Sequence, residues 1–177
     1  MRILVSITGA SGIVYGKRLM EVLRKSRDEA KLVISDCGKV VAKYEKVRLQ
    51  KADYDDGNLA APPTSGTNGP DAVIIAPCSM KTLGKIANGI SDTLTTRAAE
   101  VALKERKKLI LVVRETPLSL IAIKNMERVT LAGGIILPAC PGFYHSPKKI
   151  GDLVDYIVAK TLNVAGVKHD LRIKWDG

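Results

Sequence analysis

Five short apolar runs without polar alternation constrain this chain more than any other feature. They cover residues 2–7, 31–34, 72–76, 109–113 and 134–137. Val/Ile-rich runs of this kind read as strands buried on both faces of a parallel sheet. The stretches between and after them reach helix length, at 11–25, 39–50, 79–87, 93–106, 118–131 and 150–162. The alternation predicts an α/β fold with a mainly parallel sheet between two helical layers. In such a sheet the carboxyl ends of the strands share one edge, where ligands of open α/β folds bind. Each run is followed there by a polar cluster: Thr8-Gly9-Ala10-Ser11, Ser35-Asp36, residues 77–82, Arg114-Glu115-Thr116-Pro117, and residues 138–145. The clusters are far apart in sequence and are expected to meet in space.

With 177 residues and 46% hydrophobic content, the chain can bury a full core as one domain spanning 1–177. No apolar run approaches the roughly 18 residues that would cross a membrane. The stretch 3–7 leads into a glycine turn rather than a signal-peptide cleavage site. Cys37, Cys78 and Cys140 form an odd, widely spaced set with no C-x-x-C pair. That predicts reduced thiols, a cytoplasmic setting and no structural zinc. Each cysteine is expected to be a buried small hydrophobe. The net charge of +10 raises the question of nucleic acid. One Phe and one Trp provide no stacking platform, and segments such as 104–108 read as solvated helix faces, so nucleic acid is not expected.

Gly16 is expected to let the first helix lie close to the sheet. Residues 52–70, with three prolines and three glycines, read as a long loop and a candidate lid. The turn 9–16 invites a nucleotide reading, because N–H groups at a helix start attract phosphate. Asp36 stands about twenty residues on, where a dinucleotide fold places its ribose carboxylate. Yet the spacing is neither G-x-G-x-x-G nor a P-loop. Tyr156 and Lys160 imitate the Tyr-x-x-x-Lys pair of short-chain reductases. They fall on the final helix, and Ile13 and Tyr15 stand where that family has glycines, so the pair reads as coincidence.

Arg114 and Glu115 end an apolar strand, where an unpaired charge is costly. Alone they suggest a mutual or helix-capping ion pair. With Ser79, Lys81 and Thr82 on one strand end and Tyr144 and His145 on another, they suggest a site that holds phosphate and moves a proton. No His/Asp/Glu cluster suits a catalytic metal.

Four motifs carry a resemblance to a known family: TGASGIVYG (8–16), PCSMKTLGKIANGISDTLTTRAAEVALKERK (77–107), VVRETPL (112–118) and GFYHSP (142–147). Together they resemble the UbiX-type flavin prenyltransferases, in the family's order, over residues 3–160. The resemblance implies a Rossmann-like three-layer sandwich that binds FMN. It implies transfer of a dimethylallyl group from dimethylallyl phosphate to reduced FMN, at N5 and then C6. It further implies delivery of prenylated FMN to a UbiD-type decarboxylase, and assembly as a homo-oligomer with sites shared between subunits. By matching position, the FMN contacts would be Gly9, Ala10, Ser11, Ser35, Ser79, Met80, Lys81, Thr82 and Arg114. Tyr144 and Lys160, helped by Arg97 and Lys104, would hold the prenyl phosphate. Glu115 would be the acid/base carboxylate, with Ser11 and Lys104 also in the catalytic set, and Glu45 a second acidic position near the substrate.

One departure stands in the long loop, where Ser65-Gly66-Thr67-Asn68 lacks the family's usual aromatic residue. Two alternatives follow. One is an FMN-dependent cysteine-peptide decarboxylase, although Pro138-Ala139-Cys140-Pro141 lacks that class's Pro-x-Met-Asn signature. The other is a non-catalytic FMN-binding or delivery protein. The sequence leaves open whether the donor is a monophosphate or a diphosphate ester.

Overall fold

A computed structural model describes residues 1–171. Six parallel strands form one sheet in the order β3-β2-β1-β4-β5-β6. They are β1 (Arg2–Ile7), β2 (Glu29–Ile34), β3 (Tyr54–Asp55), β4 (Ala72–Cys78), β5 (Lys108–Val113) and β6 (Ile135–Pro138). The helices are α1 (Ile13–Leu23), α2 (Asp36–Tyr44), α3 (Met80–Ala87), α4 (Leu94–Lys104), α5 (Leu120–Leu131) and α6 (Ile150–Ala165). All seven residues of β4 are buried, as expected of a central strand covered on both faces.

The chain builds outward from β1 in one direction and from β4 in the other. Right-handed crossovers running in opposite directions put their helices on opposite faces. Accordingly Leu19, Met20 and Leu23 of α1 share one core with Ala42 of α2 and Ile157 and Leu162 of α6. Leu83 and Ile86 of α3, Leu94 and Ala98 of α4 and Val129 of α5 share the other.

Local chemistry sets the helix starts. The side chains of Ser35, Ser79, Thr93 and Ser119 each accept a backbone N–H one turn on, covering a donor that would otherwise lack a partner. Gly16 does permit close packing. A Cβ there would lie 2.2 Å from the Ala76 carbonyl oxygen and 2.6 Å from Ile7.

Two expectations need correction. The second helix spans Asp36–Tyr44 rather than 39–50. Lys46 turns the chain at a φ of 53°, and Val47 and Leu49 then pack alternate positions on the core, a period of two. The 52–70 segment is also not one open lid. It contributes β3, whose Tyr54 and Asp55 pair with Val33 and Ile34, and a 3-10 turn at Pro62–Thr64. Its second half runs to the amino edge of the sheet, where Arg2 Nη1 donates to the Asn68 carbonyl at 2.9 Å. Lys107 Nζ donates there to the carbonyls of Gly66 and Gly69 at 3.1 and 3.3 Å. In the tail, Val164 and Ala165 close α6, while residues 172–177 lie outside the described residues.

Gly16→Ala is expected to push α1 off β1 and β4. Overpacking of a tight contact costs about 1–3 kcal/mol, or roughly 2–10 °C of melting temperature in a chain of this size. Gly151→Ala, where the nearest atom would be 3.8 Å away on the exposed first turn of α6, is expected to melt within about 2 °C of the parent. Thermal unfolding of the two variants side by side checks the assignment.

Candidate functional site

The strand order reverses between β1 and β4, and their carboxyl ends frame a crevice. Thr8, buried at the end of β1, stitches it closed at the base. Its Oγ1 donates to the Pro77 carbonyl at 2.8 Å and accepts from Ser79 N at 2.9 Å, and its own N–H donates to Pro77 O at 3.2 Å. These bonds fix where α3 begins relative to the 9–12 turn.

Three helix starts therefore face the crevice. At α3, the Ser79 hydroxyl caps Thr82 N and lies 3.0 Å from the Thr82 hydroxyl. The N–H groups of Met80 and Lys81, on the first turn, have no intrahelical acceptor. At α2, Ser35 Oγ caps Gly38 N at 3.1 Å. Lys81 bridges the two, its Nζ donating to Cys37 Sγ at 3.4 Å. At α1 the outcome differs from the phosphate reading of the first turn. Both oxygens of Glu45 accept from this helix start, from Gly12 N at 2.7 Å and Ile13 N at 2.9 Å. The anion expected at that helix end is thus supplied by the chain itself, and the places open to an external phosphate are the starts of α2 and α3.

Arg114 follows β5 on the other side of the crevice. Its Nε is buried and has no hydrogen-bond partner in the protein. No ion pair joins it to Glu115 among the described residues, which removes the bland reading of that pair. Neighbouring residues in a chain leaving a strand point to different sides. Glu115 is exposed, and its carboxylate accepts from Thr116 N at 3.0 Å.

Tyr15 on α1 lies in the same region, half-buried. Burial pushes its phenol up, the Cys140 and Glu45 groups add to this, and the Arg114 guanidinium opposes it. Cys140, Arg114 and Glu45 are thus each near enough to Tyr15 for their charge to bear on it. Tyr15 and Cys140 were not chosen from the sequence. Their only sequence signal is position, within the first glycine turn and after the last strand.

The other expected residues fall at different places around the chain. Gly9 and Ala10 line the turn after β1 and Ser11 is exposed beside them. Asp36 forms a 2.8 Å pair with Lys39, its side chain 94% exposed, rather than facing the crevice as a ribose carboxylate would. Arg97 pairs with Glu100 at 2.8 Å on α4. Lys104, at the far end of α4, pairs with Glu105 and lies against Gly66 at the amino edge. Tyr144 is 74% exposed in the loop after β6. Lys160 is exposed on α6, ten residues beyond that helix's start, or about 15 Å along its axis. One chain thus gathers the flavin candidates and Glu115 at the carboxyl edge but leaves Arg97 and Lys104 apart from them.

Of the cysteines only Cys78 is buried as expected, and burial pushes its thiol up to about 12. Cys37 and Cys140 are exposed because they occupy a helix start and a loop on the crevice rim. Among the described residues no group of three or more His, Cys, Asp or Glu is placed to hold a metal, and no helix is long and apolar enough to cross a membrane.

The donor set suits FMN. Hydroxyls, an ammonium, two helix starts and an orphaned guanidinium N–H match a phosphate and the carbonyl-rich rim of an isoalloxazine.

Comparison with known proteins supports the fold and the flavin-binding class. The Flavoprotein family model matches residues 1–162. The flavin prenyltransferase UbiX of Thermoplasma acidophilum is 47% identical, covering 99% of this chain and all of that protein. AnUbiX (PadA1), solved in complex with FMN and dimethylallyl pyrophosphate, superposes with a TM-score of 0.95 at 40% identity, over 99% of this chain and 97% of that one. A dodecameric FMN-dependent UbiX-like decarboxylase from Escherichia coli O157:H7 superposes with a TM-score of 0.93 at 37% identity, over the full length of both. The chain belongs to the Flavoprotein family and, within it, to the UbiX flavin prenyltransferases.

Proposed function

We propose that this protein joins a dimethylallyl group from dimethylallyl phosphate to reduced FMN, making prenylated FMN for a UbiD-type decarboxylase. The observation that carries the reading is the orphaned Arg114 Nε just after β5, beside the crevice at the β1/β4 reversal that Ser35, Ser79, Lys81 and Thr82 rim. Bound reduced FMN supplies the electron-rich acceptor, and the chain's residues place it. Ser35 and the α3 start with Ser79, Met80, Lys81 and Thr82 take the phosphate and ribityl chain, and Arg114 takes a ring carbonyl or nitrogen. Gly9, Ala10 and Ser11 line the turn beneath.

Glu115, exposed and not paired with a cation, would accept the proton that C6 of the bound flavin loses as the carbon–carbon bond closes there, after the carbon–nitrogen bond at N5. Tyr144 and Lys160 hold the ester phosphate, and cations there stabilise the leaving group as its charge grows. Arg97 and Lys104, both on α4 and set apart from this chain's crevice, reach a site only if a second copy brings its α4 to the first copy's carboxyl edge. The protein is therefore read as a homo-oligomer with shared sites, each chain one domain, working in the cytoplasm. The decarboxylase alternative is not favoured, since relatives spanning the chain carry the prenyltransferase name.

Mass spectrometry of flavin extracted after incubating the reduced protein with dimethylallyl phosphate, or with the diphosphate, tests the reading directly. Unmodified FMN in both cases would leave a flavin-binding protein only.

Three outcomes follow. Arg114→Ala should weaken FMN binding by roughly ten- to a hundredfold, as for a lost hydrogen bond to a charged group, measured by fluorescence quenching. Glu115→Gln should keep FMN affinity while prenylated FMN forms about 10²–10⁴ times more slowly, the weight of a positioned base, measured by single-turnover mass spectrometry. Glu115→Gln and Lys104→Ala chains, each impaired alone, should regain activity when unfolded together and reassembled, because a shared site can then draw one intact residue from each copy. No recovery in mixed assemblies would place Lys104 outside the site.

A further inference from the structure

His145 and Tyr156 stand out because nothing in the prenyltransferase reading employs them. Their rings stack, with centroids 5.4 Å apart and planes at 15°. Both ring nitrogens of His145 are buried, and neither has a hydrogen-bond partner. Buried polar atoms are nearly always paired. The imidazole is therefore held by its face against Tyr156 and not by bonds from its nitrogens.

The stack joins two segments that matter together. His145 follows Tyr144 in the loop after β6. On α6, Asp152, Tyr156 and Lys160 recur every four residues and so share one helix face. Asp152 Oδ2 accepts from Lys148 N at 2.9 Å and Lys149 N at 3.2 Å, fixing the far end of the loop. The bond from Lys148 N is the chief reason its carboxyl sits below the usual carboxylate range, and His145 is near enough to add to that. At the loop's near end, a Cβ on Gly142 would lie 3.0 Å from Tyr156 Oη and 3.2 Å from the Tyr144 ring. Tyr156 thus receives the loop on both sides of Tyr144, from Gly142 and from His145. Lys160 lies one helical turn further along the same face.

We infer that His145 and Tyr156 are positioning residues, whose stack sets Tyr144 over the α6 face bearing Lys160 so that both can grip the donor's phosphate. The inference rests on the prenyltransferase reading and adds two residues to its machinery. They act through Tyr144, and it is the rings, not the imidazole nitrogens, that perform the task. Without the stack the loop keeps its Asp152 anchor but loses the ring contact at the residue after Tyr144.

The test uses full-length FMN-loaded protein with dimethylallyl phosphate as varied substrate. His145→Ala and Tyr156→Leu are each expected to raise the donor KM about three- to tenfold, the weight of one aromatic stack, and the pair together no more than either alone. The value of kcat and the FMN affinity are expected to stay within about twofold, since neither residue meets the flavin crevice. His145→Phe and Tyr156→Phe keep a ring on each side and are expected to keep the parental KM. Hydrogen exchange gives a readout without turnover: amides of 142–146 should exchange faster in the two stack-breaking variants and as in the parent in the two Phe variants. Should Tyr156→Leu fail to fold, His145→Ala, in a partly exposed loop, carries the test.

An unchanged donor KM in His145→Ala would overturn the inference. A rise in KM for His145→Phe equal to that for Ala would also overturn it, since the nitrogens would then be the working groups. If the unmodified protein prenylates FMN, these failures touch the inference alone. If it makes no prenylated FMN, the underlying reading falls first and takes the inference with it.

Discussion

The hydrogen bonds of one threonine hold the working edge of this protein together. At the point where strand order reverses, β1 and β4 send their chains to opposite faces of the sheet, so the polypeptide parts and leaves a crevice between two diverging turns. Thr8 closes its floor by donating to Pro77 and accepting from Ser79, so that the 9–12 turn and the α3 start keep a fixed separation. Donors that must meet one ligand from two sides need such a link. Without it, Ser79, Lys81 and Thr82 would be positioned only by packing further down the sheet. The register shift between β4 and β5 near Cys78 turns the β4 end locally, beside these groups.

Most of the fold was legible in the sequence because its strands are buried on both sides. Runs such as 72–76 and 109–113 have no polar residue to confuse the period, and their boundaries fell within a residue or two. β3 was not legible, since a two-residue edge strand carries too little pattern to separate it from a loop. The end of α2 was missed for a related reason. Val47 and Leu49 are apolar at spacings that a weak helix could also use, and only the left-handed turn at Lys46 tells the two apart. The loop at 65–69 lost its apparent freedom to Arg2 and Lys107, partners too distant in sequence to be foreseen.

The candidate site was partly legible. Residues immediately after a strand, such as Ser79 and Arg114, could be placed at the carboxyl edge from chain direction alone. Residues on helices could not, because a helix running back across the sheet carries its side chains from one edge to the other. Lys104 and Lys160 belong to that second class, and resemblance named them without saying where they stand. The surroundings of Arg114, Tyr15 and His145 were also invisible, since they depend on which neighbours share a few ångströms of space.

The Glu45 carboxylate at the start of α1 has a consequence for ligand choice. Folds of this strand order commonly receive the bridging diphosphate of a dinucleotide at the first helix. Here that berth is filled by a residue of the chain, bound through both oxygens to Gly12 N and Ile13 N. A molecule carrying a diphosphate bridge would have to evict a covalently tethered competitor and meet the displaced negative charge nearby. A mononucleotide, which needs only the starts of α2 and α3, meets no such opposition. A single internal carboxylate thus tunes an architecture shared with NAD- and FAD-binding proteins toward the smaller flavin.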